Sequence, residues 1–267
     1  MQQVRVFPTL LYRGRGIYKG VGFDDHTYLG DVLNATRIYN DAEVDELSLL
    51  DIGARAEGRA ISPKLVDKVA TECMMPLSAG GGIDRLDQAK AVMDNGAEKV
   101  VLNTATFTNP GLVTDVADQY GNQAVVASVD AKSDGQGGYS VYSTNAKTPE
   151  AVDLIDHVRE MESRGAGELL ITSIDREGRR EGYDTDLIKA VADAVSIPVI
   201  ANGGAGGLGH FKPAIDAGAH ALTAGSMFVF YGRRRAVLVN YPTRLRLNAA
   251  LDGDILPANS ETMVHGN

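Results

Sequence analysis

Short runs of apolar and β-branched residues alternate along the chain with longer stretches whose apolar residues recur at helical spacing. Helical patterns include SPKLVDKVATEC, DRLDQAKAVMDNG, PEAVDLIDHVREMESRG and TDLIKAVADAV. Such alternation predicts right-handed βαβ units and a parallel sheet. The apolar runs predict eight strands, at residues 4–11, 46–51, 76–79, 99–103, 123–129, 168–173, 197–201 and 219–224.

An internal repeat favours one arrangement of that sheet. Residues 77–107 resemble residues 199–228, and Glu46 and Gly82 each have a counterpart 122 positions later, at Glu168 and Gly204 (168 − 46 = 122; 204 − 82 = 122). A constant offset is typical of a duplicated half-barrel, so we predict a (β/α)8 TIM barrel over residues 1–242. An open, doubly wound sheet is the alternative. Residues 243–267 lack periodicity and are expected to form a loosely ordered tail.

Composition excludes several classes of function. The net charge of −9 argues against a nucleic-acid partner, which requires a basic surface. No apolar run approaches membrane-spanning length, and the segment MQQVRVFP lacks the apolar region of a secretory signal. The single cysteine cannot form an internal disulfide, so we expect a cytoplasmic protein. The five histidines show no metal-ligand spacing, and we expect neither a metal nor a cofactor.

Two glycine clusters, AGGGI (79–83) and ANGGAG (201–206), each end a predicted strand and begin a helix. Backbone N–H groups at such a junction bind phosphate, and glycine lets the oxygens approach closely. Each cluster is followed one strand later by small polar residues. A substrate with a phosphate at each end would suit the pair, whereas in the simpler alternative the glycines only make tight turns. The candidates are Gly81, Gly82, Asn103 and Thr104 in the first half, and Gly203, Gly204, Gly225 and Ser226 in the second.

Carboxylates stand at the ends of predicted strands. Asp51 closes LSLLD, Asp130 closes VVASVD, and Asp175 lies just beyond the sixth strand. A carboxylate at the mouth of a barrel is a candidate general acid or base, although any one of them could instead cap a helix. Two long, glycine-containing segments, 12–29 with Lys19 and 131–148, follow strands on the same face and suggest lids or surface hairpins.

Four charged residues begin predicted strands: Arg5, Glu46, Lys99 and Glu168. If all four point inward, they form a ring of two positive and two negative charges at the barrel floor, because buried charges must be paired. Taken singly, each could instead be a solvated strand start. The matching half-barrel positions of Glu46 and Glu168 favour the ring.

With these residues assembled, residues 1–240 resemble the HisF family, the cyclase subunit of imidazole glycerol phosphate synthase. The motifs GGGI, LNTA, QAVVASVDAK, GAGELLITSIDREG, GYDTDLI and GGAG carry the resemblance. It implies a barrel that receives ammonia from a HisH-like glutaminase docked on the strand-start face, with Arg5, Glu46, Lys99 and Glu168 as the gate of the ammonia channel. It also implies catalytic roles for Lys19, Asp51 and Asp130, and adds Gly178 to the phosphate-binding candidates.

One stretch departs from the family pattern. Cyclases of the family carry Cys-Leu-Asp where this chain has Thr9-Leu10-Leu11, and leucine cannot transfer a proton. The stretches PTLLYRGRGIYKGVGF and GDVLNATRIYNDAEVDEL resemble HisF-like proteins associated with surface-polysaccharide (O-antigen) clusters. That subgroup implies ammonia relay to an N-acetyl sugar amidotransferase, with cyclase activity reduced or lost. The alternatives are an authentic cyclase of histidine biosynthesis and a noncatalytic scaffold that activates the glutaminase.

Overall fold

The computed structural model describes residues 4–232, 236–254 and 263–264. The strands are β1 (Arg5–Arg13), β2 (Gly16–Val21), β3 (Asp24–Gly30), β4 (Leu47–Asp51), β5 (Leu77–Gly80), β6 (Lys99–Leu102), β7 (Val125–Ser133), β8 (Tyr139–Ser143), β9 (Thr148–Asp153), β10 (Glu168–Ser173), β11 (Val199–Asn202), β12 (Ala221–Ala224), β13 (Phe230–Tyr231), β14 (Ala236–Val237), β15 (Tyr241–Pro242) and β16 (Met263–Val264). The helices are α1 (Val32–Asp41), α2 (Pro63–Glu72), α3 (Leu86–Met93), α4 (Ala105–Thr108), α5 (Gly111–Tyr120), α6 (Leu154–Ser163), α7 (Thr185–Ala192), α8 (Phe211–Asp216), α9 (Ser226–Val229) and α10 (Arg244–Asp252). In this part of the chain, no helix combines the length and apolar character needed to cross a bilayer.

Eight parallel strands close into a barrel in the order β10, β11, β12, β1, β4, β5, β6, β7, and β7 pairs with β10. This last pairing runs from Glu168 opposite Val126 to Ser173 opposite Ala131, so the eight barrel strands form a closed ring. The predicted (β/α)8 barrel is confirmed, and the open sheet is wrong because it would leave β7 and β10 unpaired with each other. Each of the eight predicted strands corresponds to one barrel strand.

The repeat is visible in the backbone. Strands β5 and β11, and likewise β6 and β12, begin and end 122 positions apart (199 − 77 = 122; 221 − 99 = 122). Gly96 and Gly218 both have positive φ, and a Cβ at either would lie 2.6 Å from the Cβ of Ala70 or Ala192 respectively. The same helix-to-strand turn is therefore built twice, with glycine required at the close approach.

Both long segments on the strand-end face form antiparallel extensions. Strands β2 and β3 form a hairpin continuing from β1, and β8 and β9 continue from β7. The helix predicted from residue 149 begins instead at Leu154, because residues 148–153 pair with β8. Asp153 caps that helix by accepting the N–H groups of Ile155 and Asp156.

Apolar side chains form two layers. The larger layer lies between the strands and the helices, and includes Leu47 and Leu49 of β4. A smaller cluster fills the barrel interior and consists of Phe7, Val101, Val126, Leu170, Ile200 and Ala221. Alternation of side chains along each strand separates the two layers.

The segment after the barrel is ordered at its start. Residues 243–267 are predicted to be loosely ordered, yet Arg244–Asp252 forms a helix with Leu247 buried in the main apolar layer. Gly253 ends this helix in the left-handed conformation. The helix has weak periodicity because its leucines are not confined to one face: Leu247 is buried, whereas Leu245 is 74 % exposed. This explains why the sequence pattern did not predict the helix. Residues 255–262 and 265–267 lie outside the described residues.

A buried hydrogen bond from Tyr39 of α1 to the segment after β12 should contribute to the stability of the fold. Its side chain is 0 % exposed, and its hydroxyl donates to the carbonyl of Phe228 at 3.1 Å. Tyr39→Phe should lower the free energy of unfolding by about 1–3 kcal/mol, because a buried acceptor loses its donor. Urea denaturation measures the change. Tyr28→Phe is the control, since Tyr28 is 52 % exposed and its loss of hydroxyl should change stability by less than about 0.5 kcal/mol.

Candidate functional site

Every second residue of a barrel strand faces the interior, and the inward residues form levels from strand start to strand end. On β1 these residues are Arg5, Phe7, Thr9 and Leu11. The lowest level is charged, the next is apolar, and the third carries hydroxyls, with Thr9 Oγ1 bonded to Thr223 Oγ1 at 2.6 Å. The uppermost level opens at the mouth.

The four predicted floor charges meet in one closed ring. Lys99 Nζ lies 2.8 Å from Glu46 Oε2 and 2.9 Å from Glu168 Oε2. Arg5 bonds the same two carboxylates, with Nη1 2.5 Å from Glu46 Oε2 and Nη2 in contact with Glu168 Oε1. Two cations and two anions compensate one another, and this pairing is what permits the nearly complete burial of Glu46, whose side chain is 2 % exposed. Glu46 Oε1 is buried without a hydrogen-bond partner among the described residues, so the ring retains one unused acceptor.

A pocket occupies the mouth, above the apolar level. Val101 and Leu170 form part of its base, and both belong to the interior apolar cluster. Its wall includes residues from seven of the barrel strands and their following loops. Among the predicted site residues, those lining it are Lys19, Asp51, Gly81, Gly82, Asn103, Thr104 and Asp130.

Asp130 is buried at the end of β7 and faces this pocket. Burial raises its pKa from 3.8 to about 7, and hydrogen bonds from Asn103 and Thr172 lower the pKa in the opposite direction. Asn103 Nδ2 donates to Asp130 Oδ2 at 3.2 Å. A carboxyl group with a pKa near neutrality can both accept and release a proton, so its environment suits a general acid or base.

Asp51 is held differently. Its Oδ1 accepts the N–H groups of Gly53 and Ala54 at 3.0 and 3.1 Å, and its Oδ2 pairs with Arg59 Nη1 at 2.6 Å. These contacts shape the loop after β4 and engage both carboxylate oxygens. Asp175 does not line the pocket; its Oδ2 accepts the N–H of Ser133 at 2.9 Å and thereby fixes the end of β7.

The first glycine cluster opens into the pocket. Gly81 and Gly82 have φ of +123° and +65°, and a Cβ on Gly82 would lie 2.0 Å from the carbonyl oxygen of Arg59. Only glycine permits that approach. Asn103 and Thr104, from the neighbouring strand, line the same pocket. We call these four residues the first cradle.

The corresponding residues of the second half, here called the second cradle, are Gly203, Gly204, Gly225 and Ser226; neither they nor Gly178 line the pocket. Lys19 lies against this cradle, since a Cβ on Gly225 would be 2.4 Å from Lys19 Nζ. Lys19 Nζ also pairs with Glu177 Oε1 at 2.8 Å in a buried salt bridge. The β2–β3 hairpin is further held by a hydrogen bond from Gly22 N–H to the Glu177 carbonyl.

The model of the histidine biosynthesis protein family matches residues 5–234. The chain is 41 % identical over 243 residues to a Pseudomonas aeruginosa protein provisionally named imidazole glycerol phosphate synthase subunit hisF2, covering 91 % of this chain and 97 % of that protein. It is 41 % identical over 249 residues to a provisionally named HisF subunit of Leptospira interrogans, with 91 % and 97 % covered. It is 38 % identical over 257 residues to a provisionally named hisF3 subunit of Vibrio vulnificus, with 94 % and 98 % covered.

The chain belongs to the HisF family. The match spans every strand of the HisF barrel described above, from β1 through β12. The relatives are named as subunits of a synthase.

One position at the mouth of this HisF-family barrel is apolar. Leu11 lines the pocket together with Asp130, and it lies opposite Leu50 in the pairing of β1 with β4. Leu11 and Leu50 are therefore apolar neighbours in the lining of a pocket that also contains the polar side chains of Asp130 and Asn202.

Several pocket residues carry no motif that indicates them in the sequence. Asn202 Nδ2 donates to Thr172 Oγ1 at 3.1 Å, and Thr172 in turn bonds Asp130. Glu177 and Arg55 come from loops and also line the pocket. For Glu177, the available signal was its place in IDREG beside Gly178. For Arg55 there was none, because an arginine in a polar loop resembles any surface residue.

The raised pKa of Asp130 predicts how the stability of the HisF barrel depends on pH. The folded state binds this proton more tightly than the unfolded chain, so the stabilisation is complete below about pH 4 and is lost as pH rises through about 7. Asp130→Asn should abolish this loss, which amounts to about 1.4 kcal/mol for each unit of pKa shift. Urea denaturation at pH 5 and pH 8 tests it. Asp67→Asn, an exposed change, should follow the parent protein, and an identical pH dependence in Asp130→Asn would contradict the assignment.

Proposed function

We propose that this chain is the ammonia-relaying barrel of a glutamine-dependent amidotransferase system. It receives ammonia from a HisH-like glutaminase and passes it to the mouth for amidation of an N-acetyl sugar in polysaccharide biosynthesis. Leu11 carries the proposal, since it lines the same pocket as Asp130 and stands where the cyclases that this chain resembles have their second carboxylate. The floor ring supports it, because the ring retains all of its charges although the acid–base pair is incomplete.

The strand-start face has features expected of a glutaminase-docking surface. Arg5 and Lys99 begin their strands there. Met74 precedes β5 on the same face and is 91 % exposed, an uncommon exposure for a large apolar side chain. A protein docked over this surface would cover Met74 and release its product beside the floor ring.

The interior between floor and mouth suits a small neutral molecule. The ring is followed by an apolar level with Phe7, Val101 and Leu170, then by hydroxyl side chains such as Thr9 and Ser128. Ammonia crosses an apolar level more readily than ammonium, because an unpaired ion has a large cost of desolvation there. The hydroxyls then offer hydrogen bonds below Asp130.

Phosphate binding at the mouth is part of the proposal. The first cradle lines the pocket, and the acceptor or its product would place a phosphate there. The second candidate corresponds to the names of the relatives: it is the cyclase of imidazole glycerol phosphate synthase, in which Asp130 would act without a partner carboxylate. A scaffold that only activates the glutaminase is the third.

The missing carboxylate gives a direct kinetic test. With free ammonium as nitrogen donor, cyclisation of the bisphosphate intermediate should be about 10²–10⁴ times slower than in a HisF enzyme carrying Cys-Leu-Asp, because one general acid or base is absent. Leu11→Asp should recover part of that rate. Leu11→Asn should not, because asparagine resembles aspartate in size and polarity but cannot exchange a proton. Parent turnover equal to that of the Cys-Leu-Asp enzyme would support the cyclase instead.

The floor ring gives the test of relay. Lys99→Ala leaves Glu46 and Glu168 with Arg5 as their remaining partner in the ring, so the floor becomes negatively charged and its hydrogen bonding changes. In the complete system, transfer from glutamine should fall at least about tenfold, while transfer from added ammonium should stay near the parent rate. Isotope-labelled glutamine distinguishes transferred from released ammonia.

Lys68→Ala is the matched control for that experiment, since Lys68 is an exposed lysine of α2. Binding of the glutaminase should be measured alongside transfer. If Lys99→Ala binds the glutaminase and transfers from glutamine at the parent rate, the relay is refuted and the scaffold remains.

A further inference from the structure

We propose that Arg55 is the cationic ligand of the first cradle. It breaks its ion pair with Asp84 and then binds the phosphate of an incoming phosphomonoester. This assignment rests on the phosphate-binding part of the proposed function and names the side chain that gives the site its charge. Arg55 belongs to neither glycine cluster. Its assignment comes from the packing of two neighbouring loops.

The loop after β4 holds Arg55 at the cradle. Asp51 Oδ1 accepts the N–H groups of Gly53 and Ala54, which fixes the backbone immediately before Arg55. A Cβ on Gly82 would contact the Cβ of Ala54 at 3.2 Å, so this loop packs directly on the first cradle. The Arg55 side chain lines the same pocket as Gly82 and Thr104.

To bind a phosphate, the pocket needs a cationic side chain that is not already neutralised by a buried carboxylate. Asp51, Asp130 and Glu177 all line it, and a phosphate would enter against their charge. Among the described lining residues, the lysine and arginine side chains are those of Lys19 and Arg55. Lys19 is compensated by Glu177 in a buried pair at 2.8 Å. Arg55 therefore remains as the cation that can offset the charge of a ligand.

Arg55 is weakly held. Its ion-pair partner among the described residues is Asp84, with Nη1 3.4 Å from Oδ2, and both side chains are more than a third exposed, at 37 % and 36 %. An exposed ion pair of this length contributes little. Asp84 is also shared with Arg85 at 3.3 Å, so it stays paired if Arg55 moves. The remaining donors of the guanidinium suit a bidentate contact with a phosphate.

Arg59 is the neighbouring alternative, and its contacts exclude it. Its Nη1 bonds Asp51 Oδ2 at 2.6 Å and its Nε bonds Glu57 Oε2 at 2.7 Å. Moving Arg59 would strip the buried carboxylate of Asp51 of its charged partner, which is costly. Moving Arg55 exposes no buried charge.

Titration with inorganic phosphate and with glycerol 3-phosphate, followed by calorimetry at constant ionic strength, tests the assignment. Arg55→Ala should raise the dissociation constants of both probes at least about tenfold, because a charge-assisted contact is lost. Arg55→Lys should lose less, since lysine keeps the charge without the planar pair of donors. Asp84→Asn should tighten binding several-fold, because the competing carboxylate is removed.

Arg85→Ala is the matched control. Arg85 pairs with the same Asp84 at a similar distance but does not line the pocket, so its removal should change both dissociation constants much less than Arg55→Ala does. Thr104→Val reports whether the phosphate binds at the first cradle at all. Amide chemical shifts of Gly82 and Gly204 distinguish the first cradle from the second.

The outcomes separate this inference from the proposal beneath it. If Thr104→Val weakens binding and Arg55→Ala does not, the phosphate site stands and the role of Arg55 is refuted. If Arg85→Ala weakens binding as much as Arg55→Ala, the effect is general surface charge and Arg55 is again refuted. If the parent protein binds neither probe, the phosphate site and the role of Arg55 fall together, while the relay of ammonia is still decided by the Lys99→Ala experiment.

Discussion

Closure of eight parallel strands, through the pairings of β1 with β12 and β7 with β10, decides which side chains of this protein meet. A closed sheet turns every second residue of each strand toward one axis. Residues far apart in sequence, such as Arg5 and Glu168, are thereby brought into contact at one level. The floor ring, the apolar level and the pocket are successive levels of the same alternation.

Charged side chains in the barrel interior have different surroundings at the floor and at the mouth. At the floor, two cations and two anions compensate one another, so each charged side chain has partners of opposite charge. At the mouth, Asp130 has the neutral donors Asn103 and Thr172, and these do not fully offset its burial. Its pKa is therefore raised toward neutrality. The apolar level between them keeps the two environments separate.

The two halves of the barrel share a backbone and differ in how their glycine clusters are used. The first cradle opens into the pocket beside Arg55, whereas the second lies beneath Lys19 and the β2–β3 hairpin. The glycine turns of the two cradles occupy equivalent positions in the two half-barrels, but the loops that pack on them differ. Leu11 adds an apolar side chain to the mouth, next to that of Leu50.

Periodicity and the constant offset of 122 residues were enough to predict the barrel, its eight strands and the ring of Arg5, Glu46, Lys99 and Glu168, because a strand fixes the direction of each side chain once its start is known. The sequence also singled out Leu11 as the position at which this chain departs from the Cys-Leu-Asp pattern of the cyclases that it resembles. Loops have no such period. That Asp51 is engaged by Arg59, that Lys19 covers Gly225, and that Arg55 reaches the pocket depended on how loops from distant strands pack together, and only the tertiary structure decided it.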